Sequence, residues 1–154
     1  MKYGTIKGEV TAAGHDNWIQ CESVGFGVSR PSSVESGAGQ GKRHTDAATV
    51  GDIQISRSLD SASPYFFNES CGGEETDAII HFVKTEKKKL ETYMEYKLSG
   101  CLITSYSSSG GDGGASESLS LNYMEIQMNY TAFDEKGSTK KHKGKFDVGK
   151  AEVG

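Results

Sequence analysis

Alternation with a period of two recurs along much of this chain, and it predicts strands. In residues 17–28, Val24, Phe26 and Val28 fall on one face and Cys21, Ser23, Gly25 and Gly27 on the other. The first set suits a core; the second is small, so it either admits another backbone or lines an open surface. In residues 50–57, Ile53 and Ile55 alternate with Asp52, Gln54 and Ser56, the pattern of a half-buried strand. Residues 119–130 carry the longest alternation, with Met124, Ile126, Met128 and Tyr130 set against Glu125, Gln127 and Asn129. Residues 78–84, AIIHFVK, form a nearly continuous apolar run expected of a covered strand, followed by a charged reversal at 85–89. Residues 92–106 predict another strand, broken at Gly100, and residues 3–10 a weak first one.

One stretch has the marks of a helix. Ser63 suits the N-cap, Pro64 the first helical position, and Gly72-Gly73 the stop, placing a short helix at about 62–71. Tyr65, Phe66 and Phe67 give it a bulky apolar load, which calls for packing on a sheet. About six or seven strands with one short helix favour an antiparallel barrel or sandwich.

Between these elements lie two stretches with little to bury. Residues 32–41, within an extended loop at 30–47, are rich in glycine and serine and lead to Lys42, Arg43, His44 and Asp46. An uncovered arm of this kind points to a partner rather than to a small active site. Residues 107–116, SSSGGDGGAS, form the second; the reading is a long hairpin turn, since the run lacks a P-loop's Lys-Ser/Thr ending and precedes a strand. Residues 134–145 are polar and basic and read as a solvated tail, with Phe146 and Val148 as a last short strand.

Composition narrows the classes. At 154 residues the chain reads as a single domain, 1–154, and its 34% apolar content is that of a globular, loop-rich protein. The net charge of -4 gives no pull toward nucleic acid or an anionic membrane. No segment approaches the roughly 18 apolar residues of a membrane helix, and the start lacks a secretory h-region, so cytoplasmic synthesis and folding are expected. Cys21, Cys71 and Cys101 make neither a disulfide framework nor a CxxC site and read as free thiols. His15, His44, His81 and His142 show no metal-ligand spacing, and His81 reads as a satisfied sheet histidine. Nothing calls for a cofactor, and no spacing assembles a catalytic group.

The ordered blocks Lys7-Gly8-Glu9, His15 with Trp18-Ile19, Phe26-Gly27-Val28-Ser29, the glycine-rich arm before 53–57, Leu59-Asp60-Ser61-Ala62-Ser63-Pro64, and 105–114 followed by 117–130 are similar to those of the haemolysin-coregulated proteins. These are the inner-tube proteins of type VI secretion systems. The resemblance implies a closed antiparallel β-barrel of two sheets with one flanking helix. It implies a homohexameric ring, rings stacked into a hollow tube, a VgrG-like spike protein at the tip, sheath proteins outside, effector proteins in the lumen and no enzyme chemistry. It implies assembly in the cytoplasm and export through the machine without a signal peptide. Ser23 and Gly25 would face the lumen. The loop residues Ser36, Gly37, Gly39, Gly41, Lys42, Arg43 and His44 would reach an adjacent subunit or ring. Gly25 departs from the family's frequent serine, and the basic segment is unusual.

Three other readings stand beside this one. The first is a tail-tube protein of a related phage-like or extracellular contractile injection system. The second is a small-ligand-binding β-barrel with Trp18 and the tyrosines around a pocket. The third is an enzyme with Cys101 or Cys21 as nucleophile.

Overall fold

The structure is a computed structural model that describes residues 1–35, 42–86, 89–133 and 139–154. In chain order the elements are β1 (Lys2–Tyr3), β2 (Ser23–Gly25), β3 (Val28–Ser29), β4 (Ser32–Glu35), β5 (Lys42–Thr45), β6 (Thr49–Val50), β7 (Ile53–Ser58), α1 (Ser63–Gly72), β8 (Thr76–Glu86), β9 (Lys89–Gly111), β10 (Gly114–Asn122), β11 (Glu125–Phe133), β12 (Thr139–Asp147) and β13 (Glu152–Val153). The protein is mainly β with one short helix.

The spine is a long hairpin. Residues 107–116 are strand rather than a flexible stretch, because β9 runs to Gly111 and β10 starts at Gly114, leaving only Asp112 and Gly113 as the turn. Beyond the turn β10 and β11 lie end to end along the same β9 strand, with Asn122 opposite Leu102 and Glu125 opposite Ser99. The long alternation at 119–130 is therefore two strands in line, interrupted at Tyr123 and Met124. Opposite that interruption β9 is not broken at Gly100, as the sequence suggested, but runs through it; Gly100 has a φ of +61°, which favours glycine, and its Cβ, if present, would meet Met124 Cγ at 2.9 Å.

Two wings leave this spine. From the N-terminal half of β9 the sheet extends through β8 to β1, and from β11 through β12 to β13. From β10 it extends through β7 to β2. The basic segment is not a solvated tail: residues 139–147 pair along β11, with Phe146 in the same strand. The segment at 3–10 is strand only at Lys2–Tyr3.

The inward faces bury Ile53 and Ile55, Ala78 and Ile80, Leu98, Cys101 and Ile103, Leu119 and Leu121, and Ile126. Strand β8 is thus covered on alternate positions rather than throughout. On α1 only Phe66 of the three aromatics is buried, edge-on to Tyr3 at 5.9 Å; Tyr65 and Phe67 are 59% and 53% exposed. Consecutive helical residues point about 100° apart, so three in a row cannot share one face. The N-cap is Ala62, not Ser63, and has no side-chain cap; the lead-in is held instead by Asp60 Oδ1 accepting from the Ala62 N–H at 2.8 Å and Ser63 Oγ accepting from the Asp60 N–H at 3.0 Å.

Candidate functional site

Two adjoining features leave the core and stay uncovered by the rest of the chain. The first is the outward face of β2, β7, β10 and the distal half of β9. The alternation that sends Ile53, Ile55, Leu119 and Leu121 inward sends Gln54, Ser56, Ser58, Ser116, Ser118, Ser120 and Asn122 outward. Ser23 and Gly25 lie on this face, opposite Ser56 and Gln54. Space around the Gly25 Cβ position is open.

Short polar side chains tie the strands together across this face. Ser23 Oγ lies 2.6 Å from Ser56 Oγ, and Ser120 Oγ donates to Gln54 Oε1 at 2.7 Å. Asp52 bridges two strands, accepting from Thr104 Oγ1 at 2.6 Å and Asn122 Nδ2 at 2.8 Å. Glu22 accepts from the Ser58 hydroxyl. Both carboxylates of the patch are thus held by neutral donors. Behind Asp52, burial pushes the Tyr123 phenol up to about 12, with the Asp52 and Cys101 charges adding, so its hydroxyl stays a donor to the Gly51 carbonyl at 3.1 Å. The surface is hydrogen-bonded and made of short side chains, with Asp52 and Glu22 as its carboxylates.

The second feature is the arm. It is a β-ribbon rather than a bare loop: β3 pairs with β6 and β4 with β5, continuing the β2–β7 pairing outward. The register slips by one residue at each interruption, where the ribbon can turn. Its base is fastened by Asp46 N–H to the Pro31 carbonyl at 3.1 Å and by Arg30, whose Nε donates to the Asp46 carbonyl at 3.2 Å and Nη2 to Thr45 Oγ1 at 3.3 Å. Val28, expected in the core, is 60% exposed because β3 has already left the sheet. Lys42, Arg43 and His44 lie in β5 opposite Glu35, Val34 and Ser33. Ser36, Gly37, Gly39 and Gly41 lie outside the described residues.

The alternative chemistries find little support. Burial pushes the Cys21 thiol up, with the N-terminal ammonium and Arg57 opposing, and pushes Cys101 up to about 12. A nucleophilic cysteine needs the reverse shift. No group of His, Cys, Asp and Glu able to hold a metal occurs among the described residues. Among the same residues no helix is long and apolar enough to cross a membrane.

A family model described as "Type VI secretion system effector, Hcp" matches residues 1–130. The chain belongs to the Hcp family. No curated protein matches it. Among solved structures it is similar to a type six secretion system protein, at 21% identity and a TM-score of 0.87 over 99% of this chain and 96% of that one. It is also similar to Hcp1 from Salmonella typhimurium, at 20% identity and a TM-score of 0.73 over 99% and 94%. A third likeness is to the anti-feeding prophage cap, at 13% identity and a TM-score of 0.58 over 75% and 83%. At these identities the likenesses carry the fold, while the family rests on the match over residues 1–130.

The resemblance read from the sequence blocks is thereby shown to be right. What sequence reading missed is that the arm is paired strand and that the serines of β10 form one face. The second was available, since Ser116, Ser118 and Ser120 alternate with Glu117, Leu119 and Leu121; the glycines and serines around them masked the period.

Proposed function

We propose that this Hcp chain is the structural subunit of a type VI secretion tube. Six copies form a ring, rings stack head to tail, and the serine face of β2, β7 and β10 lines the channel. The observation that carries this reading is the ribbon β3–β6 and β4–β5, a projecting two-stranded element whose outer edges have no strand partner among the described residues. Exposed edges of this kind invite pairing with another chain, and a closed ring satisfies them without unlimited growth. The two wings, sharing one spine and one core, close into a barrel in this reading. Ser23 and Gly25 face the lumen, and residues 36–44 engage the neighbouring subunit or ring. The lumen carries effector proteins, a spike protein caps the tube and a contractile sheath surrounds it. The subunit folds in the cytoplasm, leaves with the machine and has no catalytic step.

Negative-stain microscopy combined with mass measurement tests this directly. Hexameric rings with a central hole are the expected outcome. A monomer at high protein concentration, with no rings on the grid, overturns the reading. The likeness to the anti-feeding prophage cap favours a second reading, a tube protein of a related contractile injection system. Genes for the neighbouring sheath and baseplate components separate the two.

A further inference from the structure

Residues 8–18 form a compact loop held by their own backbone. Gly8 N–H donates to the Asn17 carbonyl at 2.9 Å, Val10 N–H to Trp18 at 3.0 Å and Asn17 N–H to Val10 at 2.8 Å. Gly8 is required there, because a Cβ would overlap the Trp18 carbonyl. The loop's side chains are fastened to β8. Trp18 lies 4.5 Å from the His81 ring and 4.7 Å from the His15 ring, and the two imidazoles are 5.1 Å apart. His15 Nε2 is 2.9 Å from His81 Nδ1, and His81 Nε2 is 2.8 Å from Glu95 Oε2.

The partners fix the hydrogens. A carboxylate only accepts, so His81 Nε2 carries a hydrogen for Glu95. In the neutral pair His81 Nδ1 is then a bare acceptor, and His15 Nε2–H donates to it. His15 Nδ1 is left without a hydrogen, buried and without a partner. When the pair gains one proton, two arrangements keep the 2.9 Å bond, according to which ring holds the shared hydrogen. Both place an N–H on His15 Nδ1, where nothing accepts it. A second proton would set two N–H groups against each other. The contact between the rings is therefore compatible with the neutral pair and strained by each added charge.

We propose that His15 and His81 form a proton-operated latch, fastening the 8–18 loop to β8 when the pair is neutral and releasing it when the pair is protonated. This stands independently of the tube reading. Release frees Trp18 and opens the adjoining cavity of about 440 Å³, which Phe82, Leu90 and Tyr93 also line.

The surroundings set the direction and range. Burial holds His81 below its ordinary value of 6.5; the Glu95 carboxylate pulls it back up, while His15 and the Met1 ammonium push it down. From β9, Thr92 Oγ1 lies 3.4 Å from His81 Nδ1, and Lys97 Nζ lies 3.5 Å from Glu95 Oε1. From β11, Asn129 Nδ2 donates to Glu95 Oε1 at 2.8 Å. Burial raises Glu95, but its hydrogen bonds from His81 and Asn129 and the Lys97 charge hold it below the usual carboxylate value, so it stays ionised while His81 titrates. Because folding lowers the His81 value, the fastened state is fully favoured above pH 6.5 and loses ground as pH falls below it.

Trp18 is the one tryptophan in the sequence, so its fluorescence reports the latch in the intact chain. Titration from pH ~8 to ~5 should give a single red shift of emission, with a midpoint below the ordinary histidine value. His15→Asn and His81→Gln should remove that transition. Emission constant across the range, or variants that titrate like the wild type, would overturn the proposal. Should either variant fail to fold, ring-nitrogen NMR of the unaltered protein decides. One coupled proton uptake below 6.5 supports the latch, and two independent titrations at ordinary values refute it.

Discussion

Arg57 and Glu117 stand directly opposite one another across β7 and β10, with Nη1 2.5 Å from Oε1 and both side chains shut away from water. Arg57 occupies the inward position that Ile53 and Ile55 take earlier in the strand, so the alternation continues with a charge in the core. All three guanidinium nitrogens are engaged. Asp60 pairs with Nη2, the Gln20 carbonyl accepts from Nε at 3.2 Å, and the Phe66 ring lies 5.4 Å from Cζ. Tyr106 donates to the second Glu117 oxygen at 2.8 Å. One group thus joins the helix lead-in, the 19–22 segment and the spine.

Removing Arg57 leaves the buried Glu117 carboxylate uncompensated, whereas removing Glu117 leaves the guanidinium with Asp60 as its carboxylate partner. Arg57→Met should destabilise the fold by about 3–5 kcal/mol and Glu117→Leu by less, both read from urea unfolding. The double variant Arg57→Met/Glu117→Leu should lose less than the sum of its singles, since it removes both charges together. Additive losses would show that the pair is not coupled.

The left-handed conformation of Gly100 predicts a second effect. Gly100→Ala places a Cβ against Met124 and forces an L side chain into the left-handed region, which costs roughly 1–2 kcal/mol by itself. Thermal unfolding should show a lower midpoint. Adding Met124→Ala should relieve the steric part and leave the backbone part. A Gly100→Ala protein as stable as wild type would mean that the spine does not need this conformation.

The strand content was legible in the sequence because burial imposes period two; the break expected at Gly100 is absent, since β9 runs through it and the glycine only takes a left-handed conformation within the strand. The placement of Ser23 and Ile55 on opposite faces was legible for the same reason. Long-range register was not. Nothing local says that Arg57 will meet Glu117, or that His15 will cross to His81, because those pairings are fixed only when the wings pack. The arm was misjudged for a related reason: its serines and glycines carry no hydrophobic period, and its strands are marked only by their backbone pairing. Residues 139–147 were misjudged because β12 is polar on both faces over most of its length, which removes the alternation that marks a half-buried strand.

The ribbon's assigned role can be separated from folding. Replacing residues 36–41 by Asn-Gly gives Glu35 and Lys42, already paired, a two-residue hairpin connection. The shortened protein should unfold at the wild-type temperature, since the core lies elsewhere. It should form rings that stack poorly, seen as short tubes or single rings by microscopy. Normal tube lengths would remove residues 36–41 from the stacking interface.

Gly25 provides the test of the channel face. Its Cβ position is open and its φ lies outside the left-handed region, so a long side chain can be added there without a clash. Gly25→Arg should therefore fold and form rings, as checked by thermal unfolding and mass. In a hexamer it would project six guanidinium groups from a wall otherwise made of hydroxyls, glycine and hydrogen-bonded carboxylates. Passage and retention of effector proteins should fall, measured by co-purification with the rings. Ser23→Thr, which keeps the hydroxyl beside Ser56, should leave retention near wild type. If Gly25→Arg rings hold cargo as well as the parent, the serine face points away from the channel, and the inward wall must be sought on the β8–β11 wing.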